Sequence, residues 1–314
     1  MTDAGVPAET AARSTHRTGL IFGGFAYGLW GVLPLYFLLL APSGAFEIVA
    51  WRVLFSLVFC ALIITLTRTW AGLGRALRQP RLVWIMGLAG IFIFINWQTY
   101  VIAATTGRVV EASLGYFINP IVTVLLGVFV LHERLRRLQW VAIGISLLAV
   151  VVLAVGYGSL PWISLVLAFS FGFYGLIKKR VGRSLDAVTG LTLETAWLAP
   201  VAVVQLVVVS GMSGLTFGTV SPWHTAGLLA AGVITAVPLL LFAAAARRLP
   251  LTVLGLIQFI GPVIQFLLGV FVLNEAMPLE RFAGFGLVWV ALIILTVDMV
   301  VSGRAPRRGS LEPA

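Results

Sequence analysis

Two charged residues stand where charge is costly. Glu194 lies about eight residues inside an apolar run, and Arg52 lies about seven residues inside another. An ionised side chain so placed is kept for a partner, a substrate or a proton. Glu194 could bind a cation or amine, carry a coupled proton, or pair with Arg52. Arg52 could anchor an anionic substrate or complete a structural ion pair. Glu47 is five residues from Arg52 and falls on a different helix face, so the arginine's partner is expected on another segment. Glu47 itself, nearer a run end, is expected to snorkel, as is Asp298. Asn96, Trp97, Gln98 and Tyr100 form a polar and aromatic patch in a third run, and two amides in one apolar helix need neighbouring helices or a substrate. Trp97 and Trp197 sit away from run ends and could stack on a substrate. Enzyme chemistry finds no support: His16, His132 and His224 are scattered, and there is no clustered metal-ligand set, Walker-type loop or nucleophile–base pair. No catalytic residue, metal or cofactor is expected, and any pumping must draw on an ion gradient or on the solute's own. Coupling to a proton or another ion stays open.

These residues need positioning elements, and composition says what they are. The 314 residues are 60% hydrophobic and 10% charged, with a mean hydropathy of +1.06. Apolar runs of about 20 residues, the length that crosses a hydrocarbon core, recur along the chain. The expectation is an all-α integral membrane protein with ten transmembrane helices, near 18–40, 46–67, 82–104, 112–131, 140–156, 162–177, 187–209, 226–246, 251–273 and 282–301. Of 21 Lys and Arg residues, 18 then fall on one side: Arg13 and Arg17, residues 68–81, 134–137, 178–183, 247–248 and the 304–308 tail. Only Arg108 and Arg281 fall opposite. Positive charge stays cytoplasmic, so both termini are expected inside. The formal charge of +10 is therefore a topology signal and an attraction to anionic lipid, not a nucleic-acid footprint. Cys60, the single cysteine, is expected to pack as a small hydrophobe.

A duplication organises the spans. LGYFINPIVTVLLGVFVLHE (Leu114–Glu133) and LIQFIGPVIQFLLGVFVLNE (Leu256–Glu275) agree at 12 of 20 positions, including Pro120 with Pro262, Gly127 with Gly269 and Glu133 with Glu275. Tyr27–Leu29 with Tyr174–Leu176, and Glu47 with Glu194, extend the echo at an offset of 147. The copies are five spans apart, so they cross in opposite directions. Two inverted-topology five-helix repeats are expected, at 18–156 and 157–301, between cytoplasmic tails 1–17 and 302–314. That is the plan of a secondary transporter, in which one half rocks against the other around a site near the midplane. Pro120 and Pro262 each delete a helical hydrogen bond and free the carbonyls of Tyr116 and Gln258. As paired kinks they would line that site beside Tyr116, Asn119, Gln258 and Gln265. Gly24-x-x-x-Gly28 and Ala168-x-x-x-Gly172 are read as helix-packing steps.

EASLGYFINP (Glu111–Pro120), ERLRRLQW (Glu133–Trp140), GSLP (Gly158–Pro161) and LAFSFGFYGL (Leu167–Leu176) resemble the RarD family, in the EamA group of the drug/metabolite transporter superfamily. The resemblance runs from about residue 19 to 300. It implies ten helices in two inverted halves, a multi-pass protein of the bacterial inner membrane, and a permease. Family members carry a chloramphenicol-sensitivity label. The family often has a histidine before the second-span arginine; here the pair is Trp51–Arg52, so any proton role falls to Glu194. The expected function is secondary-active export of a small organic solute or drug by alternating access. A non-transporting lipid-binding or sensor protein is the alternative, and would show Arg52 and Glu194 paired in a sealed interior. The expected partners are a small-molecule substrate and membrane lipids, with a homodimer left open.

Overall fold

A computed structural model describes residues 6–131, 135–181, 185–246, 248–249, 253 and 257–303. His132, Glu133, Arg134, Arg183, Arg247, Leu256, Arg304, Arg307 and Arg308 lie outside these. All regular structure among the described residues is helical. The order is α1 (Val6–Leu39), α2 (Ala45–Leu66), α3 (Trp70–Leu77), α4 (Pro80–Thr105), α5 (Val109–Leu131), α6 (Arg137–Tyr157), α7 (Trp162–Val181), α8 (Ala187–Met212), α9 (Pro222–Ala246), α10 (Ile260–Leu267) and α11 (Leu279–Gly303). Eight of these are long and apolar enough to cross a membrane. Two shorter apolar helices, Trp162–Lys178 and Ile260–Val272, accompany them. Large apolar side chains such as Phe129, Val155 and Phe271 stand more than two-thirds exposed around the bundle, a surface only lipid would cover.

α1 begins at Val6, well before its apolar part. α3, in what the sequence presents as a loop, is a short amphipathic helix. It buries Leu73 and Ala76 against Ile64, Leu82, Met86 and Leu193. α5 runs unbroken through Pro120, whereas the chain turns at Gln258–Phe259 and α10 starts only at Ile260, putting Pro262 in its first turn. The two prolines are therefore not matched kinks. Proline is tolerated in a first turn because the amide it lacks would have had no helical partner there. α10 then widens into a π-turn at Leu268–Val272 and closes through Asn274, at φ 53°, which aims Glu275 back across the bundle.

The heaviest helix contacts all join residues before 157 to residues after it: α6 with α11, α2 with α8 and α9, α5 with α7 and α10, α4 with α7 and α8, and α1 with α9 and α10. The halves are interleaved. Glycine sets the closest approaches. A Cβ on Gly232 of α9 would sit 2.3 Å from the Phe55 carbonyl oxygen of α2, and one on Gly115 of α5 would sit 2.7 Å from that of Ser164. Ala168 and Gly172 do pack, the latter against Val122 and Leu126. Gly24 and Gly28 do not: nothing lies within 4 Å of a Cβ at either, and α1 instead approaches its neighbours through Gly19, Gly23 and Gly31. The step has the right spacing but lies on the wrong face.

Candidate functional site

Arg52 projects from α2 into the middle of the bundle and is 4% exposed. Its Nε donates to Thr235 Oγ1 on α9 at 2.7 Å, and that hydroxyl in turn donates to the Ala231 carbonyl. The guanidinium lies over the Trp97 ring at 4.4 Å and near the Phe37 ring at 5.7 Å. Tyr36, Tyr100 and Tyr116 are its electrostatic neighbours. Among the described residues no carboxylate comes within ion-pair distance of it, and its Nη1 has no hydrogen-bond partner. Tyr36 donates its hydroxyl to the Gly227 carbonyl, and Tyr116 donates to Asn96 Oδ1. The Tyr100 hydroxyl approaches Gln265 without closing a hydrogen bond, and Gln265 Oε1 is likewise unmatched. Gln265 Nε2 donates to the Trp30 carbonyl at 3.1 Å. That carbonyl is free because Pro34, four residues on in α1, has no amide to offer it. Asn96 is spent on the scaffold: its Nδ2 donates to the Leu167 carbonyl and to Ser170 Oγ on α7, so it fixes Tyr116 across three helices.

Glu194, 1% exposed, is held elsewhere. Its Oε1 accepts from Lys178 Nζ at 2.8 Å and its Oε2 from the Tyr174 hydroxyl at 3.3 Å. Of the alternatives open for Glu194, pairing with Arg52 is not the one the structure shows: its partner is Lys178, placed by sequence in a loop but lying inside α7. A ladder of rings joins the two charges. Phe37 meets Tyr100 at 5.9 Å, Tyr100 meets Tyr116 at 5.7 Å, Tyr116 meets Phe171 at 6.0 Å and Phe171 meets Tyr174 at 5.9 Å. Helices from both halves contribute rungs.

The end of the bundle holding residues 40–44, 106–108, 158–161, 213–221 and 273–278 is tied shut by polar contacts. Glu47 is not a snorkelling side chain. It is 1% exposed and accepts from the Thr216 and Phe217 amides, the Thr216 hydroxyl and Trp51 Nε1. Ser43 bonds Thr216 Oγ1 at 2.6 Å and His224 Nε2 at 2.9 Å. Glu275 accepts the first two amides of α5, from Val109 at 2.6 Å and Val110 at 2.8 Å. Apart from the Trp51–Glu47 bond within α2, each of these bonds joins one half of the chain to the other.

The model of the EamA-like transporter family matches residues 18–155. "Protein RarD" of Streptomyces exfoliatus is 49% identical, over 94% of this chain and 93% of its own length. This chain belongs to the RarD family. An "Uncharacterized transporter YojE" of Bacillus subtilis (strain 168) is 41% identical, over 93% of this chain and 97% of its own length. A crystal structure at 21% identity, covering 89% of this chain and 98% of the other with a TM-score of 0.58, shares the fold alone. This RarD-family chain is therefore a multi-pass membrane protein and a transporter of the drug/metabolite type; its family is one of transporters rather than enzymes.

Of the residues singled out by sequence, the RarD-family fold gathers Arg52, Trp97, Tyr116 and Gln265 at one place, with Asn96 supporting them. Asn119 is buried on α5 beside Gly172, its Oδ1 unmatched. Gln258 lies half-buried at the break before α10. Trp197 does not reach the cluster. It is 38% exposed, donates to the Val83 carbonyl at 3.0 Å, rests on Trp84 and fills the notch left by Gly87. Asp298 is buried 3.5 Å from Arg136 rather than snorkelled to the surface. Cys60 is 1% exposed, packed as a small hydrophobe. Tyr100, part of the polar and aromatic patch seen in the sequence, joins this cluster; Thr235 as the arginine's holder, and Lys178, are the residues that sequence reading misses. Pro34, which leaves the Trp30 carbonyl without a helical donor, is the sequence signal that could have pointed to the bond Gln265 makes.

Proposed function

We propose that this chain is a gradient-driven permease that exports a small organic solute across the bacterial inner membrane by alternating access. Its solute site is the cluster of Arg52, Trp97, Tyr100, Tyr116 and Gln265. The observation that carries the reading is unmet polarity: Arg52 Nη1, Tyr100 Oη and Gln265 Oε1 are buried without partners, in a place built by helices of both halves. Buried polar groups in a finished protein are nearly always matched, so groups left open together invite a ligand. The same reading has ten spans in two inverted repeats, with α7 and α10 as the short ones, and both termini cytoplasmic. The face closed by Glu47 and Glu275 is then the outer one. Arg52 lies seven residues below the start of α2, about 10 Å down from that face. The aromatic ladder from Phe37 to Tyr174 is the solute's path toward the inner side.

The interleaving of the halves changes the expected motion. A whole-half rocking would break every heavy helix contact in the bundle at once. The moving units are instead groups drawn from both halves, pivoting about the cluster. Glu194 is the acid a proton-coupled cycle would use, and Lys178 is its competing partner. The sensor reading called for Arg52 and Glu194 to be paired, and they hold different partners. Reconstitution into proteoliposomes with counterflow of labelled amino acids, amines, carboxylates and chloramphenicol-like drugs tests the permease. Movement of one class, lost in Trp97→Ala, is the expected result; no movement of any class rejects the reading.

A further inference from the structure

We propose that the solute is an organic anion, and that Arg52 with Tyr100 binds its carboxylate; this rests on the permease reading above. The argument begins with charge. An arginine buried in a membrane bundle is ordinarily paired with an acid or with carbonyls. Arg52 has one hydroxyl, Thr235, on Nε, and two aromatic faces. The nearest acid on its own helix, Glu47, is fully engaged by Thr216, Phe217 and Trp51. The other deep acid, Glu194, is neutralised by Lys178. Among the described residues, the path from Arg52 to Glu194 therefore carries one uncompensated positive charge, at Arg52. Contact with the Trp97 and Phe37 rings offsets part of the desolvation cost while leaving the in-plane N–H edges available.

The open hydrogen-bonding groups agree with the charge. Thr235 fixes the Nε edge, so the guanidinium is held in place with Nη1 unfilled. Of the three tyrosines around it, two have committed their protons, to Gly227 and to Asn96, while the Tyr100 hydroxyl, beside the Gln265 amide, closes no hydrogen bond of good geometry. A guanidinium edge and one hydroxyl are donors, and donors suit a carboxylate. A cationic solute would meet like charge in a medium of low dielectric. The surrounding rings of Phe37, Trp97 and Tyr116 fit an anion with an apolar body.

Matched probes test this on the full-length protein in detergent. Benzoate and phenylacetate are compared with benzamide, phenylacetamide and benzylamine by thermal shift, with inorganic phosphate as the free-anion control. The carboxylates are expected to stabilise the protein, and the amides, the amine and phosphate are not. Arg52→Gln is expected to weaken carboxylate binding on the order of a hundredfold, and Arg52→Lys by less. Because Arg52→Gln also removes the bond to Thr235 and could unfold the bundle, Tyr100→Phe is the second variant. It is expected to keep the helical circular-dichroism signal and lose carboxylate affinity several-fold, with no change for the amides. Carboxylates without effect, an equal response to phosphate, or carboxylate binding unchanged in both Arg52→Gln and Tyr100→Phe overturns the proposal. Counterflow separates the two readings. If amides or amines move and carboxylates do not, the anion falls and the permease stands; if nothing moves, both fall.

Discussion

The carboxylate of Glu275 is the most exactable of the contacts that tie the bundle shut. It takes the amides of Val109 and Val110, the first two of α5, which no helical carbonyl can reach. Replacing Glu275 by Ala leaves both without an acceptor. A hydrogen bond to a charged group contributes about 1.5–3 kcal/mol, while loss of a helix N-cap costs about 1–2 kcal/mol. The site is part-buried, so water recovers some of the loss, and about 2 kcal/mol is the expected net effect. Local opening at the start of α5 should therefore become about 30-fold more frequent. Hydrogen–deuterium exchange of a peptide spanning residues 106–114 reads this directly, with the α2 segment around Ile48 as internal control. Glu275→Gln keeps one carboxamide oxygen and should lose roughly half as much. An unchanged exchange rate in Glu275→Ala would mean that the two amides are satisfied by something other than residue 275, and would refute the reasoning.

Other substitutions separate contacts that look alike on paper. Lys178→Met strands the buried Glu194 carboxylate and should cost about 3 kcal/mol or more, whereas Lys178→Met with Glu194→Gln should recover most of it; thermal stability in detergent checks the cycle. Gly232→Ala drives a Cβ into the Phe55 backbone and should abolish a monodisperse fold, while Gly24→Ala, which meets nothing, should leave the elution profile unchanged. Asp186 caps α8 outside the apolar spans. Burial pushes its carboxyl up, but the Thr189 hydroxyl and nearby amides outweigh that and hold it below the usual carboxylate range. A depressed acid adds stability above its unfolded pKa, about 3.9, and loses it as pH falls through the folded value. Protection of the Thr189 amide should therefore decline on acidification below that point, and Asp186→Asn should flatten the dependence.

The apolar spans were legible because a helix in lipid must satisfy its own backbone, which leaves a long uninterrupted signal. The π-turn and late start of α10 were not, since Gln258 and Phe259 carry no breaker residue and Pro262 alone does not say whether a helix bends or begins. Arg52 and Glu194 were legible as deep charges, but their partners were not. Lys178 reads as a loop cation because it opens a basic run, and only the length of α7 shows that it lies inside the helix. Thr235 carries no sequence signal at all, being one threonine among many in apolar segments. Glu47 shows the opposite failure: it lies near its run end as the sequence indicates, but the segment at Thr216 and Phe217 folds over it.

The bond between Gln265 and the Trp30 carbonyl has a consequence for ancestry and engineering. A proline in one half of the chain has left a peptide oxygen unanswered, and a glutamine 231 positions after that proline answers it. Neither residue makes local sense alone. A chimera joining the first half of this chain to the second half of a relative near residues 157–161 would inherit the question without the reply unless position 265 travels with position 34. The two halves of the chain depend on each other at the level of a single carbonyl and cannot drift as independent units.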